Sequence, residues 1–218
     1  MGTLTPALIR QLLEELASRA QEAGIQAKVL VVGGAAVSFH DAHRRLTADI
    51  DAFVLPDKAL DDISAAMARA HDLPVDWINA GALAFLPPVG LEDWHVVIEQ
   101  GPVTISIASP QLLLAMKLYA NRGTRDSADI EVLLDLCDIT SVEEAQQIYE
   151  RYHAQEVLTP SAEARVRAWL DSRSGESGLG PAPRDDSRGW VHPGIDISDN
   201  SAVQALLDSP KPPGSDQR

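Results

Sequence analysis

Residues 31–54, VVGGAAVSFHDAHRRLTADIDAFV, decide how this chain is read. They continue an apolar run that starts at 27 (AKVLVV), the pattern of a short buried strand. The run stops at Gly33-Gly34, and residues 34–41 turn into a short helix. Twelve residues beyond the glycine pair, Thr47-Ala48-Asp49-Ile50-Asp51 leads into a second strand over 48–54. Side chains alternate along a strand, so Asp49, Asp51 and Phe53 share one face while Ile50, Ala52 and Val54 share the other. Two carboxylates at i and i+2 can hold one divalent cation, or a pair, between them. Mg2+ takes hard oxygen ligands, often one or two carboxylates together with substrate phosphates. Without a cation the two anions repel, and one tends to keep a proton. The glycines serve differently: lacking side chains, they let backbone N–H groups approach a phosphate at a helix N-terminus. Either feature alone is common, as a tight turn or a solvated strand edge. The order strand, glycine pair, helix, strand, carboxylate pair is far more specific.

Upstream, residues 6–23 have Leu8, Ile9, Leu12, Leu13 and Leu16 at helical spacing, with Gly24 as the stop. Downstream, 58–71 is an amphipathic helix with Leu60, Ile63, Met67 and Ala70 on its buried side. Short strands are expected at Val75–Ile78, His95–Glu99 and Val103–Ile107. Pro110 opens the helix QLLLAMKLYANR at its first turn. The polar link GTRD leads to a helix over Ser127–Cys137, and helices at Ser141–Gln155 and Ser161–Ser172 follow. Ser141-Val-Glu-Glu144 is a capping box. From about Ser172 the composition turns to Gly, Ser, Pro and charge without periodicity, which reads as a linker. Within this tail, 190–197 and 202–207 are apolar enough to dock back on the body. The expected organisation is a core at 1–109, a helical part at 110–172 that completes the site, and a linker and tail at 173–218. The fold class is α+β: a small mixed β-sheet flanked by helices.

The 218 residues are 45% hydrophobic, enough for one sizeable core. The formal charge of −14 argues against a broad basic surface for nucleic acid. Any such contact would have to be local, at Arg44, Arg45, Arg122 and Arg125. No apolar run approaches 18 residues, so no membrane span or membrane partner is expected, and the N-terminus lacks the pattern of a signal peptide. Cys137 is the single cysteine. It excludes an intrachain disulfide, fits a reducing cytoplasm, and reads as core rather than nucleophile.

The segment 31–54 resembles the signature of the polymerase-β-like nucleotidyltransferase superfamily. Within it, the chain is similar to the branch that includes AbiEii-type toxins and DUF6036-type proteins. LLLAMKLYANRGTRDSADIEVLL strengthens the resemblance: Lys117, Arg122, Arg125, Asp126 and Asp129 match that branch's Lys, Arg and Arg/Lys-Asp-x-x-Asp stretch, and LPVDWIN is also similar. The resemblance covers roughly Val29 to Leu136. It implies that Asp49 and Asp51 hold Mg2+, with Mn2+ as a substitute. Gly33, Gly34, Thr47, Lys117 and Arg122 would bind the nucleotide. Asp126 would be a polar anchor or a base. Asp76 is the candidate for a third metal-binding carboxylate, since Val103–Ile107 carries no acid.

The implied reaction moves an NMP from an NTP to a macromolecular acceptor, an RNA 3′ end or a protein hydroxyl. A toxin–antitoxin or phage-defence setting, with an antitoxin protein as partner, follows from the toxin-like branch. A small-molecule acceptor such as an aminoglycoside is an alternative, because an acidic surface suits a polycation. A catalytically inactive nucleotide-binding module is another. Simpler readings stand beside these: Lys117 as a snorkelling surface lysine, Asp126 as a helix cap, His40 and His43 as non-ligands, and Trp77 as core rather than a stacking platform.

Overall fold

The computed structural model describes residues 3–41 and 46–176. Arg44, Arg45, His43 and the expected tail segments lie outside the described residues. The described part is an α+β fold with a five-stranded mixed sheet flanked by seven helices. Helix α1 (Pro6–Glu22) starts at Thr5, whose hydroxyl accepts from the Leu8 N–H, with Pro6 in the first turn. It ends where Gly24 takes a φ of +69°, as the sequence indicated.

Strand β1 (Ala27–Val31) lies at the centre of the sheet. The glycine pair follows directly, and Gly33 is the first residue of α2 (Gly33–His40). Strand β2 (Ile50–Leu55) runs antiparallel to β1, while β5 (Val103–Ala108) runs parallel on its other side. Strand β4 (Trp94–Gln100) closes that edge antiparallel to β5, and the two-residue β3 (Ile78–Asn79) closes the other edge beside β2. The order is therefore β3-β2-β1-β5-β4. Helix α3 (Asp61–Ala70) packs against α1. The helical half consists of α4 (Pro110–Ala120), α5 (Thr124–Leu136), α6 (Val142–Tyr152) and α7 (Pro160–Glu176). One hydrophobic core runs from Leu4 through the strands to Val166 in α7.

Several expected elements shift. Val75–Ile78 is not a strand: Pro74–Trp77 form a turn closed by the Trp77 N–H on the Pro74 carbonyl at 3.1 Å, and pairing begins only at Ile78. The turn buries Trp77 completely and leaves Val75 80% exposed, so Trp77 is core, with its indole N–H on the Ser64 carbonyl. Strand β2 starts at Ile50, so Asp49 stands just before it. Its alternation also fails at one point, because Ala52 and Phe53 are both buried. A strand next to the centre of a sheet covered by helices has no solvent face to keep polar. On α3, Ala68 is buried where Ala70 was expected. Helix α5 begins at Thr124, so the link residues 124–126 form its first turn. Ser141 caps α6 by accepting from the Glu144 N–H, as expected, and the Glu144 carboxylate also accepts from the Thr140 backbone N–H and hydroxyl. Cys137 packs against the core, and burial pushes its thiol up to about 12. A thiol so shifted is protonated at neutral pH, in keeping with the non-nucleophilic reading.

The helical half is fastened to the sheet edge through Asp93. This buried carboxylate accepts from the Tyr152 hydroxyl of α6 at 2.6 Å and from the Gly90 N–H at 3.1 Å. Truncating it removes a buried acceptor from both the Tyr152 hydroxyl and the Gly90 N–H, which costs about 1–3 kcal/mol. Asp93→Ala is accordingly expected to lower the unfolding free energy measured in urea by that amount, with an unchanged m-value. A free energy within about 0.5 kcal/mol of wild type would show that this anchor contributes little.

Candidate active site

A solvent-open cleft lies where α2, β2 and the helical half meet. Gly33, Asp51, Gly81, Lys117, Arg122 and Arg125 form its polar lining, and Ala82, Phe85, Leu113, Met116 and Ala120 its apolar lining. Of the residues expected at the site, Gly33, Asp51, Lys117 and Arg122 come together here.

Of the glycine pair, one position requires glycine, and its close neighbour is Asp51. Gly33 has a φ of +61°, and a Cβ there would run into Asp51 Oδ2 and approach the Asp51 Cβ at 3.2 Å. Both the backbone conformation and the close approach therefore require glycine. Asp51 is fixed from behind as well, since its carbonyl accepts from the Val32 N–H at 2.9 Å. No side chain caps the N-terminus of α2. Its first N–H groups are therefore left to solvent or a ligand. Gly34 is half-buried in the same turn but is not part of the cleft lining.

Asp49 sits one residue before β2 and accepts from the Asn79 amide at 3.0 Å. Asn79, which the sequence reading missed, pairs with Asp51 in the strand register. Its side-chain oxygen accepts from the Gly81 N–H at 2.8 Å, which orients the short turn of the cleft wall. Asp76 does not join the carboxylate pair. It is exposed in the turn before β3 and meets Asn79 only through its backbone carbonyl. Among the described residues no group of three or more His, Cys, Asp or Glu is placed to hold a metal ion. Thr47 also misses the cleft lining: its backbone bridges Leu4, and its hydroxyl donates to the Asp49 carbonyl at 3.3 Å.

The cations are arranged differently from the expectation. Lys117 is not a snorkelling lysine. It is 8% exposed, with Nζ 2.8 Å from both Asp126 Oδ1 and Asp129 Oδ2. Asp126 is fully buried in the first turn of α5 and accepts from Lys117, from the Arg122 backbone N–H at 2.9 Å, and from the Arg122 guanidinium at 3.0 and 3.2 Å. Burial alone would raise its pKa, but these hydrogen bonds outweigh it and hold the carboxyl well below the usual carboxylate range. Such a group is an anchor and a poor base, and it ties the chain before α5 as a cap would. Arg122 additionally lies over the Phe85 ring, 5.5 Å from its centroid. Arg125 is exposed on the same helical turn and faces the cleft.

The carboxylate pair behaves as two close anions should. Burial first, and then the charge of Asp49, raise the Asp51 pKa above its ordinary 3.8, while Lys117, Arg122 and Arg125 offset this only in part. A half-buried carboxylate pushed upward by an anionic neighbour suits a divalent cation, which would relieve both causes. His40, by contrast, is spent structurally, with Nε2 on the Ala108 carbonyl at 2.8 Å and its ring edge-on to His95.

A mixed sheet with a strand-borne aspartate pressed against the glycine start of a helix is the arrangement of a nucleotidyltransferase-like fold. Residues 8–171 match the family DUF6036, described as a nucleotidyltransferase of unknown function, and the chain belongs to that family. No curated protein and no solved structure matches it.

Two outcomes follow from this geometry. Lys117→Met leaves two buried carboxylates without their shared cation and is expected to cost about 3–5 kcal/mol in a denaturation experiment. A loss below about 1 kcal/mol, the range of an exposed pair, would contradict the buried network. Asp51 gives the second. A folded-state pKa above the unfolded one contributes stability that is complete below pH 3.8 and is lost as pH rises through the raised value. Asp51→Asn, being permanently neutral, is therefore expected to melt above wild type at pH 7 in EDTA. That advantage should vanish in acid below pH 3.8. Equal melting temperatures across the whole range would show that Asp51 carries no such penalty.

Proposed function

We propose that this protein transfers an NMP from a nucleoside triphosphate to a hydroxyl of a macromolecular acceptor, an RNA 3′ end or a protein side chain. The observation that carries this reading is the close packing of Gly33 on Asp51. It sets an uncapped helix N-terminus and a half-buried carboxylate within one cleft that also holds cationic side chains. The reading extends nucleotidyl transfer, the activity by which the family is described, to a donor, an acceptor class and a set of residues.

The cleft offers two kinds of lining. Phe85, Leu113 and Met116 provide an apolar wall for the nucleoside, and the start of α2 with the basic side chains accepts phosphate. Asp49 and Asp51 would hold Mg2+ or Mn2+, which when bound supplies charge neutralisation at the reacting phosphate. Asn79 steadies Asp49, and Gly33 keeps Asp51 in place. In the reaction the acceptor oxygen attacks the α-phosphorus, the bond from that phosphorus to the bridging oxygen breaks, pyrophosphate leaves, and the hydroxyl proton passes to solvent. Asp126 takes no part as a base, because its lone pairs are committed to Lys117 and Arg122. The toxin-like resemblance of the glycine and aspartate segment motivates the macromolecular acceptor and, with it, a neutralising antitoxin partner.

A second reading rests on a specific observation. Asn79, an amide, stands beside Asp51 in the register, and the described residues offer no third carboxylate. That suits a module that binds nucleotide without turning it over. Pyrophosphate release separates the two. The proposed reaction gives release from at least one NTP with Mg2+ and total RNA or protein. In Asp49→Ala/Asp51→Ala it should fall by about 100-fold or more, the scale of losing groups that stabilise the transition state directly. No release from any NTP, together with measurable Mg2+–NTP binding, would establish the binding module instead.

A further inference from the structure

The polar lining of the cleft contains three basic side chains, Lys117, Arg122 and Arg125, and two of them are already neutralised. Lys117 lies between Asp126 and Asp129 at 2.8 Å from each, and Arg122 is bound through its Nε and a terminal nitrogen to Asp126. Lys117 and Arg122 thus already have anionic partners within the protein, in a site where unpairing buried charge is costly. A triphosphate entering the cleft competes with those partners for both cations, and it also meets Asp51.

Arg125 differs. It lines the cleft, it is exposed, and no ion pair or hydrogen bond to another described residue occupies its guanidinium. Its position in the first turn of α5, one residue before Asp126, is fixed by the hydrogen bonds that bury Asp126. A guanidinium with free donors can grip phosphate oxygens by two parallel bonds, which a lysine ammonium cannot do.

Building on the nucleotide reading above, we propose that Arg125 is the residue that binds the phosphate chain of the nucleotide. Lys117 is then a positioning residue whose charge is used inside the protein to hold Arg122 and the start of α5 in place. This moves the phosphate contact eight residues along the sequence from the helix α4 lysine to the exposed turn of α5.

The test titrates the full-length protein with each of the four NTPs and the corresponding monophosphates in Mg2+, by calorimetry. Wild type, Arg125→Gln and Arg125→Lys are compared, with a thermal melt of each. Arg125→Gln is expected to weaken triphosphate binding about tenfold or more, the scale of a lost charge-assisted contact. Its effect on monophosphate should be smaller and its melting temperature unchanged. Arg125→Lys should fall between, keeping charge but losing the fork. Wild-type affinity in Arg125→Gln overturns the proposal, as does a variant that loses binding only because it melts early. If wild type itself binds none of the nucleotides, the nucleotide reading fails and this inference with it. Wild-type binding that survives Arg125→Gln leaves that reading standing and removes only the inference.

Discussion

A carboxylate with no exposure to water must be ionised and fully satisfied, or it must give up its charge. Asp126 is satisfied by Lys117 from α4 and by the backbone and guanidinium of Arg122 from the link that follows. Asp129, one turn later, shares the same ammonium. These contacts join α4, the chain reversal at 121–123 and α5 into one unit, and that unit forms one wall of the cleft. Buried charge of this kind adds little net stability over an apolar core, but breaking it is costly, so its geometry is held tightly. The cleft depends on it for that reason.

The opposite wall depends on the absence of a side chain. Gly33 permits Asp51 to press against the first turn of α2, and the central position of β1 brings the two together. β2 returns antiparallel beside β1, so the chain leaves the sheet at the glycines and re-enters it at the aspartates. One end of the sheet thereby gathers an uncapped helix start and two anions that repel each other. A divalent cation and a phosphate chain would complement that surface, and the proposed substrate, a nucleoside triphosphate with its metal, would supply both.

Much of this was legible in sequence, and for physical reasons. The strand, glycine, helix, strand order is local, and each step has its own signal in hydropathy or in glycine. Asp51 and Gly33 were identifiable because their chemistry is carried by residue type and short spacing. Lys117 stood out as a lone charge in an apolar helix, but its partners were hidden by a chain reversal that periodicity does not describe. Asp126 and Asp129 lie three apart on one face of α5, and that pair opposite a single buried lysine was the available clue. Asn79 was not legible, because its role comes from the parallel pairing of a two-residue strand with β2. Asp76 was expected on a short strand as the third carboxylate, but Pro74 begins a turn there and leaves it exposed. Thr47 was expected at the nucleotide because the resemblance implies it, while its hydroxyl donates to the Asp49 carbonyl.

Asp51, held against Gly33, is proposed to form with Asp49 a cation site completed by nucleotide. Electron paramagnetic resonance of Mn2+ titrated into the protein, with and without an NTP, addresses it most directly. Wild type is expected to remove free Mn2+ signal weakly alone and strongly with nucleotide present, and Asp51→Asn to abolish the difference while remaining folded. Mn2+ binding that is the same in Asp51→Asn, or that ignores the nucleotide, would contradict it.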